Sequence, residues 1–173
     1  MKKIILLITI LIFLSGCGII YNLNNFNIPD DIYFINVIDN LDTPEKICQY
    51  MEDNFNCQFN FFAFSPYQMW LANIKNKAGD CNDYSCFAVF CADWHGYGTY
   101  QINITFKNEN YTHFLAVYVE NGKYNYSSNW FYFPIQANNF KEIVEHHCWK
   151  NNRKWIFYGV YNYQMEIIEK GKY

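Results

Sequence analysis

The stretch "DCNDYSCFAVFCADWHG", Asp80 to Gly96, constrains the fold more than any other part of the chain. Asp80 is a good helix N-cap, Asp83 stands where a capping-box partner belongs, and Gly96 closes the segment. Phe87, Phe90, Cys91 and Trp94 line one face, yet the segment is apolar nearly all round. A helix of that kind is unstable on a surface, because it exposes apolar side chains on every side. The rest of the chain must therefore be built around it.

The flanking patterns say what surrounds it. Upstream, "DTPEKICQYMEDNF" predicts a helix with Thr43 as N-cap, Pro44 at the first position and Ile47, Met51 and Phe55 on one face. "SPYQMWLANIKNKAG" predicts a second, with Ser65 and Gln68 as a capping box, Trp70, Leu71 and Ile74 as the apolar stripe, and Gly79 at its end. Downstream the period changes. "TYQINITFK", "THFLAVYV" and "KYNYSSNWFYF" alternate and are rich in aromatic and β-branched residues, so they read as strands. "NNFKEIVEHHCW" reads as a short helix, and "KWIFYGVYNYQMEIIE" as one or two last strands. Helices first and then an antiparallel sheet is an α+β order. With 173 residues, 51% of them hydrophobic, the chain can bury one substantial core.

The N-terminus lies outside that core. Lys2 and Lys3 precede the apolar run Ile4 to Leu14, which is too short to span a bilayer comfortably, and "LSGC" follows. The order of features resembles a bacterial lipoprotein signal. It implies a signal peptide over 1–16, acylation of Cys17, a tether over 17–31 and a folded domain over 32–173, held extracytoplasmically at the membrane by its lipid. Losing Lys2 and Lys3 takes the formal charge from −3 to −5. An acidic domain without a basic patch excludes nucleic acid as a partner, since phosphate neutralisation needs cationic surface.

Six cysteines remain: Cys48, Cys57, Cys81, Cys86, Cys91 and Cys148. Outside the cytoplasm Cys48 and Cys57 could pair, whereas Cys86 and Cys91 read as small buried apolar residues. Cys81 follows the Asp80 cap directly. The unpaired N–H groups and the positive dipole end of a first helical turn favour a thiolate, so Cys81 is the physical choice for a nucleophile. Cys81, Cys86, Cys91 and His95 do not converge as metal ligands, because steps of five turn too far around a helix. No cofactor is implied.

A thiol nucleophile needs a base. His95 sits at the far end of the same helix, and His146 and His147 read as solvated near a helix C-terminus. His113 lies early in the strand "HFLAVYV" on a face that should be buried. If "ENG" forms a three-residue loop with a bulge at Gly122, Val119 pairs with Lys123 and His113 stands opposite Asn129, which could fix its tautomer. A two-residue Asn-Gly loop would instead put His113 opposite Trp130 and send Asn129 to the other face.

"GDCNDYS" followed by "HFLAVYVENGKYNYSSN" resembles the transglutaminase-like superfamily, including bacterial transglutaminase-like cysteine proteinases. Gly79, Cys81, Asp83, Tyr84, His113 and Asn129 carry the likeness, with Asn in place of the commoner Asp and His-Phe-Leu in place of His-Ala-Trp. The resemblance implies a papain-like fold and a Cys81–His113–Asn129 triad for acyl transfer on a peptide, protein or cell-wall peptide. It also implies an oxyanion donor upstream, for which Gln68 and Trp70 are candidates, while Asp80 and Asp83 support the helix start. The alternative is a catalytically inactive domain of the same fold that serves as a binding module.

Overall fold

Asp80 does cap a helix. In the computed structural model, which describes residues 30–59, 63–74 and 78–173, its side chain accepts from the Asn82 N–H at 3.0 Å, while Asp83 accepts from the Asp80 N–H at 2.9 Å. The two bonds satisfy groups that a helix start leaves open. The lipoprotein signal, Cys17 and nearly all of the tether lie outside the described residues.

The elements run α1 (Ile32–Asp39), α2 (Pro44–Asn54), β1 (Asn56–Cys57), α3 (Pro66–Ile74), β2 (Ala78–Gly79), α4 (Cys81–Trp94), β3 (Gly98–Phe106), β4 (Thr112–Glu120), β5 (Lys123–Ser128), β6 (Phe131–Ala137), α5 (Phe140–Lys150), β7 (Trp155–Tyr161) and β8 (Ile167–Lys172). β3 to β8 form one sheet in the order β6-β5-β4-β3-β7-β8, with every neighbouring pair antiparallel. β1 and β2 make a small parallel pair of their own.

Helices cover both faces of the sheet. On one, α4 is the middle of a cluster in which Phe34, Ile47, Met51 and Trp70 pack around Phe87 to Ala92, against Ala116 and Tyr118 of β4. Every residue from Asp83 to Ala92 is buried, which is the environment that an all-round apolar helix demands. On the other face Ile143, Val144 and Cys148 of α5 pack on Ile102, Ile104, Leu115, Val117 and Tyr126. Alternation along a strand sends neighbouring residues to opposite sides, so β4 serves both cores.

Five readings of the sequence need correction. The order is not simply helices first, since the β1–β2 pair precedes α4 and α5 follows β6. α1 is an additional helix, capped by Asp31, which accepts from Tyr33 and Phe34 N–H groups. Gly79 does not end α3; it sits in β2, where a Cβ would collide with the Met69 sulfur and lie 2.8 Å from Asp83 Cβ. Ile74 is 60% exposed, so the buried side of α3 is Met69, Trp70, Ala72 and Asn73. Cys48 and Cys57 do not pair, as the first is buried, the second is exposed, and both are thiols.

Candidate functional site

The site is assembled from the mouth of α4 outward. Cys81 is the first residue of α4 and is partly exposed. Asp83, fully buried, holds that end in place, because its carboxylate accepts from the Asp80 N–H and, at 2.5 Å, from the Phe64 N–H. β1 brings a second thiol alongside: Cys57 pairs with Gly79, two residues before Cys81. Its thiol is raised above the ordinary range by burial and by the nearby Asp80 carboxylate. The Asn129 amide points to Cys57, with 4.0 Å between Nδ2 and Sγ. Tyr84, one turn into α4, packs against Trp130 at 5.5 Å between rings. Among the described residues, the Tyr84 hydroxyl and Asn129 Oδ1 are buried without a hydrogen-bond partner. Thiols, a carboxamide and a phenol therefore converge at the start of α4.

His113 does not join them. Glu120 pairs with Lys123, so the β4–β5 loop has two residues, Asn121 (φ 53°) and Gly122 (φ 74°). Two successive positive φ angles make the type I′ turn that matches strand twist, and Asn-Gly suits it. Val119 consequently pairs with Tyr124, and the bulged register does not form. Continued down the ladder, the observed register sets His113 level with Trp130 and Leu115 level with Ser128. Asn129, at φ 52°, is in the turn that joins β5 to β6.

His113 shares its side of β4 with Leu115 and Val117, which belong to the α5 core. Its Nε2 lies 2.9 Å from Ser128 Oγ, and its ring stacks on that of His147 at 5.1 Å and 13°. Burial, reinforced by Arg153, pushes His113 down to about 4. Burial, with His113, Arg153 and His146 adding repulsion, pushes His147 down to about 3. Both imidazoles are neutral near pH 7. The expected triad is thus divided: Cys81 and Asn129 belong to the α4 mouth, and His113 to the opposite face of the sheet.

The other candidates have structural occupations. Gln68 completes the capping box, with Ser65 N–H donating to Oε1 at 2.9 Å and Gln68 N–H donating to Ser65 Oγ at 3.1 Å. Trp70 is buried and donates from Nε1 to the Tyr50 hydroxyl at 3.1 Å. His95 donates from Nε2 to the Ile38 carbonyl at 2.8 Å, at the other end of α4. A cavity of about 380 Å³ beside it is lined by Asp42, His95, Tyr97 and Val119, well removed from Cys81. Cys86, pushed up to about 12 by burial, donates to the Asn82 side chain and receives the Gln101 amide.

Two residues were missed in the sequence. His147 is 3% exposed rather than solvated. Its signal was the spacing of Phe140, Ile143, Val144, His147 and Cys148, which is one helix face. Ser128 would have been found as the neighbour of His113 by giving Asn121-Gly122 its favoured two-residue turn.

Comparison with known proteins adds an anchor and a fold. Residues 1–17 match the prokaryotic membrane lipoprotein lipid attachment site, which makes the chain a membrane-anchored lipoprotein. Among the described residues no helix is long and apolar enough to cross a membrane. No curated protein matches the sequence. Among solved structures, calcium-bound LapG of Legionella pneumophila superposes with a TM-score of 0.50 at 13% identity, over 75% of this chain and 76% of that one. Two further LapG structures of that organism, one EGTA-treated, give 0.49 and 0.48 at 12% identity, over 79% and 75% of this chain and 77% and 74% of theirs. LapG has a transglutaminase-like fold, and at such identity the likeness concerns the fold.

Proposed function

We propose that residues 1–16 are removed, that 17–31 tether the lipid to the domain 32–173, and that this domain is a binding module of transglutaminase-like fold at the membrane surface. Its ligand is peptide-like and is taken at the mouth of α4. The observation that carries this reading is the side of the sheet to which His113 belongs. An acyl-transfer thiol needs an imidazole within hydrogen-bond reach. Here the imidazole of β4 is stacked on His147 behind the sheet. At the mouth itself, Asn129 Oδ1 and the Tyr84 hydroxyl are buried polar groups awaiting a partner, the kind of group that a bound amide satisfies.

A second reading is an extracytoplasmic thiol acyl-transfer enzyme, a cysteine peptidase, amidase or transglutaminase. Two observations favour it: Cys81 occupies the first turn of α4 partly exposed, and the structural neighbours are cysteine proteases. Cys81 would attack a carbonyl carbon, His113 would take and return the proton, and Asn129 would orient His113. That mechanism requires His113 to leave the α5 core. Incubating the mature chain with peptide libraries, with Cys81→Ala as control, separates the two. Retention of a peptide without turnover supports the module. Cleavage or transamidation that vanishes with Cys81→Ala establishes the enzyme.

A further inference from the structure

Among the described residues β8 is an edge strand, paired with β7 alone. Its Ile167 and Ile168 are 47% and 48% exposed, and Phe157 of β7 is 39% exposed. In the ladder Phe157 stands opposite Lys172, Gly159 opposite Lys170 and Tyr161 opposite Ile167, so these side chains share a face. Tyr158 and Val160 alternate with them and point into the α5 core, which puts the shared face on the α4 side. α4 packs on β3 and β4, inward of this ladder. The result is an open face with Phe157 and Lys172 at one end, Tyr161 and Ile167 at the other, and Lys170 between them on the edge strand.

Charge sets this region apart. Lys170 and Lys172 stand on this face, whereas Glu169 pairs with Val160 on the other side and accepts from the Tyr158 hydroxyl at 2.7 Å. Exposed branched and aromatic side chains flanked by lysines suit the headgroup boundary of a bilayer, where apolar groups enter and ammonium groups stay with the phosphates. The anchor supports the same partner. α1, where the described chain begins, packs through Phe34 and Ile38 into the α4 cluster, on the side of the sheet that this face occupies. The thirteen residue steps from Cys17 to Asp30 span at most about 45 Å. A tether of that length lets this face reach the membrane.

We propose that the α4-side face of the β7–β8 ladder, with Phe157 and Ile167 at its two ends and Lys170 and Lys172 along its edge strand, docks the domain onto anionic phospholipid headgroups. The test uses the mature chain with Cys17→Ser, which carries no lipid, and vesicles of phosphatidylcholine with and without phosphatidylglycerol. Binding should be about tenfold or more tighter to the anionic vesicles and should weaken with salt. Lys170→Glu with Lys172→Glu should abolish the preference, and Phe157→Asp should weaken binding to both vesicles. These positions are at the surface, and circular dichroism checks each fold; Lys170→Gln with Lys172→Gln replaces any variant that fails it. Equal binding by all variants, or no vesicle binding at all, overturns the proposal. So does a dimer in sedimentation velocity that Phe157→Asp dissociates, since the face would then belong to a second copy of the chain.

Discussion

The two faces of the sheet solve different problems with one set of strands. The α4 face surrounds an apolar helix and includes polar groups in its interior: Gln101 donates to Ser85 at 3.2 Å, and the Tyr118 and Ser127 hydroxyls meet at 2.7 Å. The α5 face is a branched-aliphatic and aromatic core that contains two stacked neutral imidazoles. The thiol at a helix start belongs to the first and the histidine to the second. A thiol and an imidazole can thus be present in one small domain, at motif-like spacing, on different faces of the sheet.

The contrast can be broken most forcefully at the centre of the α4 face. Phe87→Ala should cost about 3–5 kcal/mol by urea denaturation, whereas Ile143→Val beneath α5 should cost about 1 kcal/mol. A loss of less than about 2 kcal/mol for Phe87→Ala would mean that α4 is not the centre of its core.

Acid should act on the α5 face. Unfolded, both histidines titrate near the ordinary 6.5; folded, they stay neutral down to about 4 and 3. Below 6.5 the unfolded chain binds more protons, so stability is full above that pH and falls as pH drops toward the folded values. Between pH 7.5 and 5 the two groups together should account for about 2–4 kcal/mol. Arg153 and His146, which also face them, oppose protonation. Replacing His113 and His147 by phenylalanine should flatten denaturation against pH across that window.

Gly79→Ala tests the link between β2 and the start of α4. The new methyl would meet Met69 and Asp83, and the loss should be about 1–3 kcal/mol in thermal unfolding. The smallest effect is expected at the β4–β5 turn. Gly122→Ala, at φ 74°, should cost about 1 kcal/mol without moving the register, readable as retained cross-strand contacts between Val119 and Tyr124 in NMR spectra.

What could be read from the sequence was local. The caps at Thr43, Ser65 and Asp80 depend on residues three positions apart, and each is present. The strands followed from alternation and the last segment resolved into two, β7 and β8. What could not be read was which side of the sheet a residue faces. Phe114, Leu115, Ala116, Val117 and Tyr118 are all buried, because helices cover both faces, so β4 has no polar side to orient it. The hairpin register was legible from Asn121-Gly122, because Asn-Gly suits the two-residue turn better than a bulged loop. α1 was hidden because its cap, Asp31, was counted with the tether.

The division between Cys81 and His113 is best tested by the rate at which iodoacetamide alkylates Cys81 from pH 5 to 9. Peptide mapping should separate its signal from that of exposed Cys57. The account predicts the same rate and the same pH profile in the wild-type chain and in His113→Gln. A tenfold or greater fall at neutral pH in His113→Gln, with Cys57 unaffected, would show the imidazole acting on the sulfur and would contradict it.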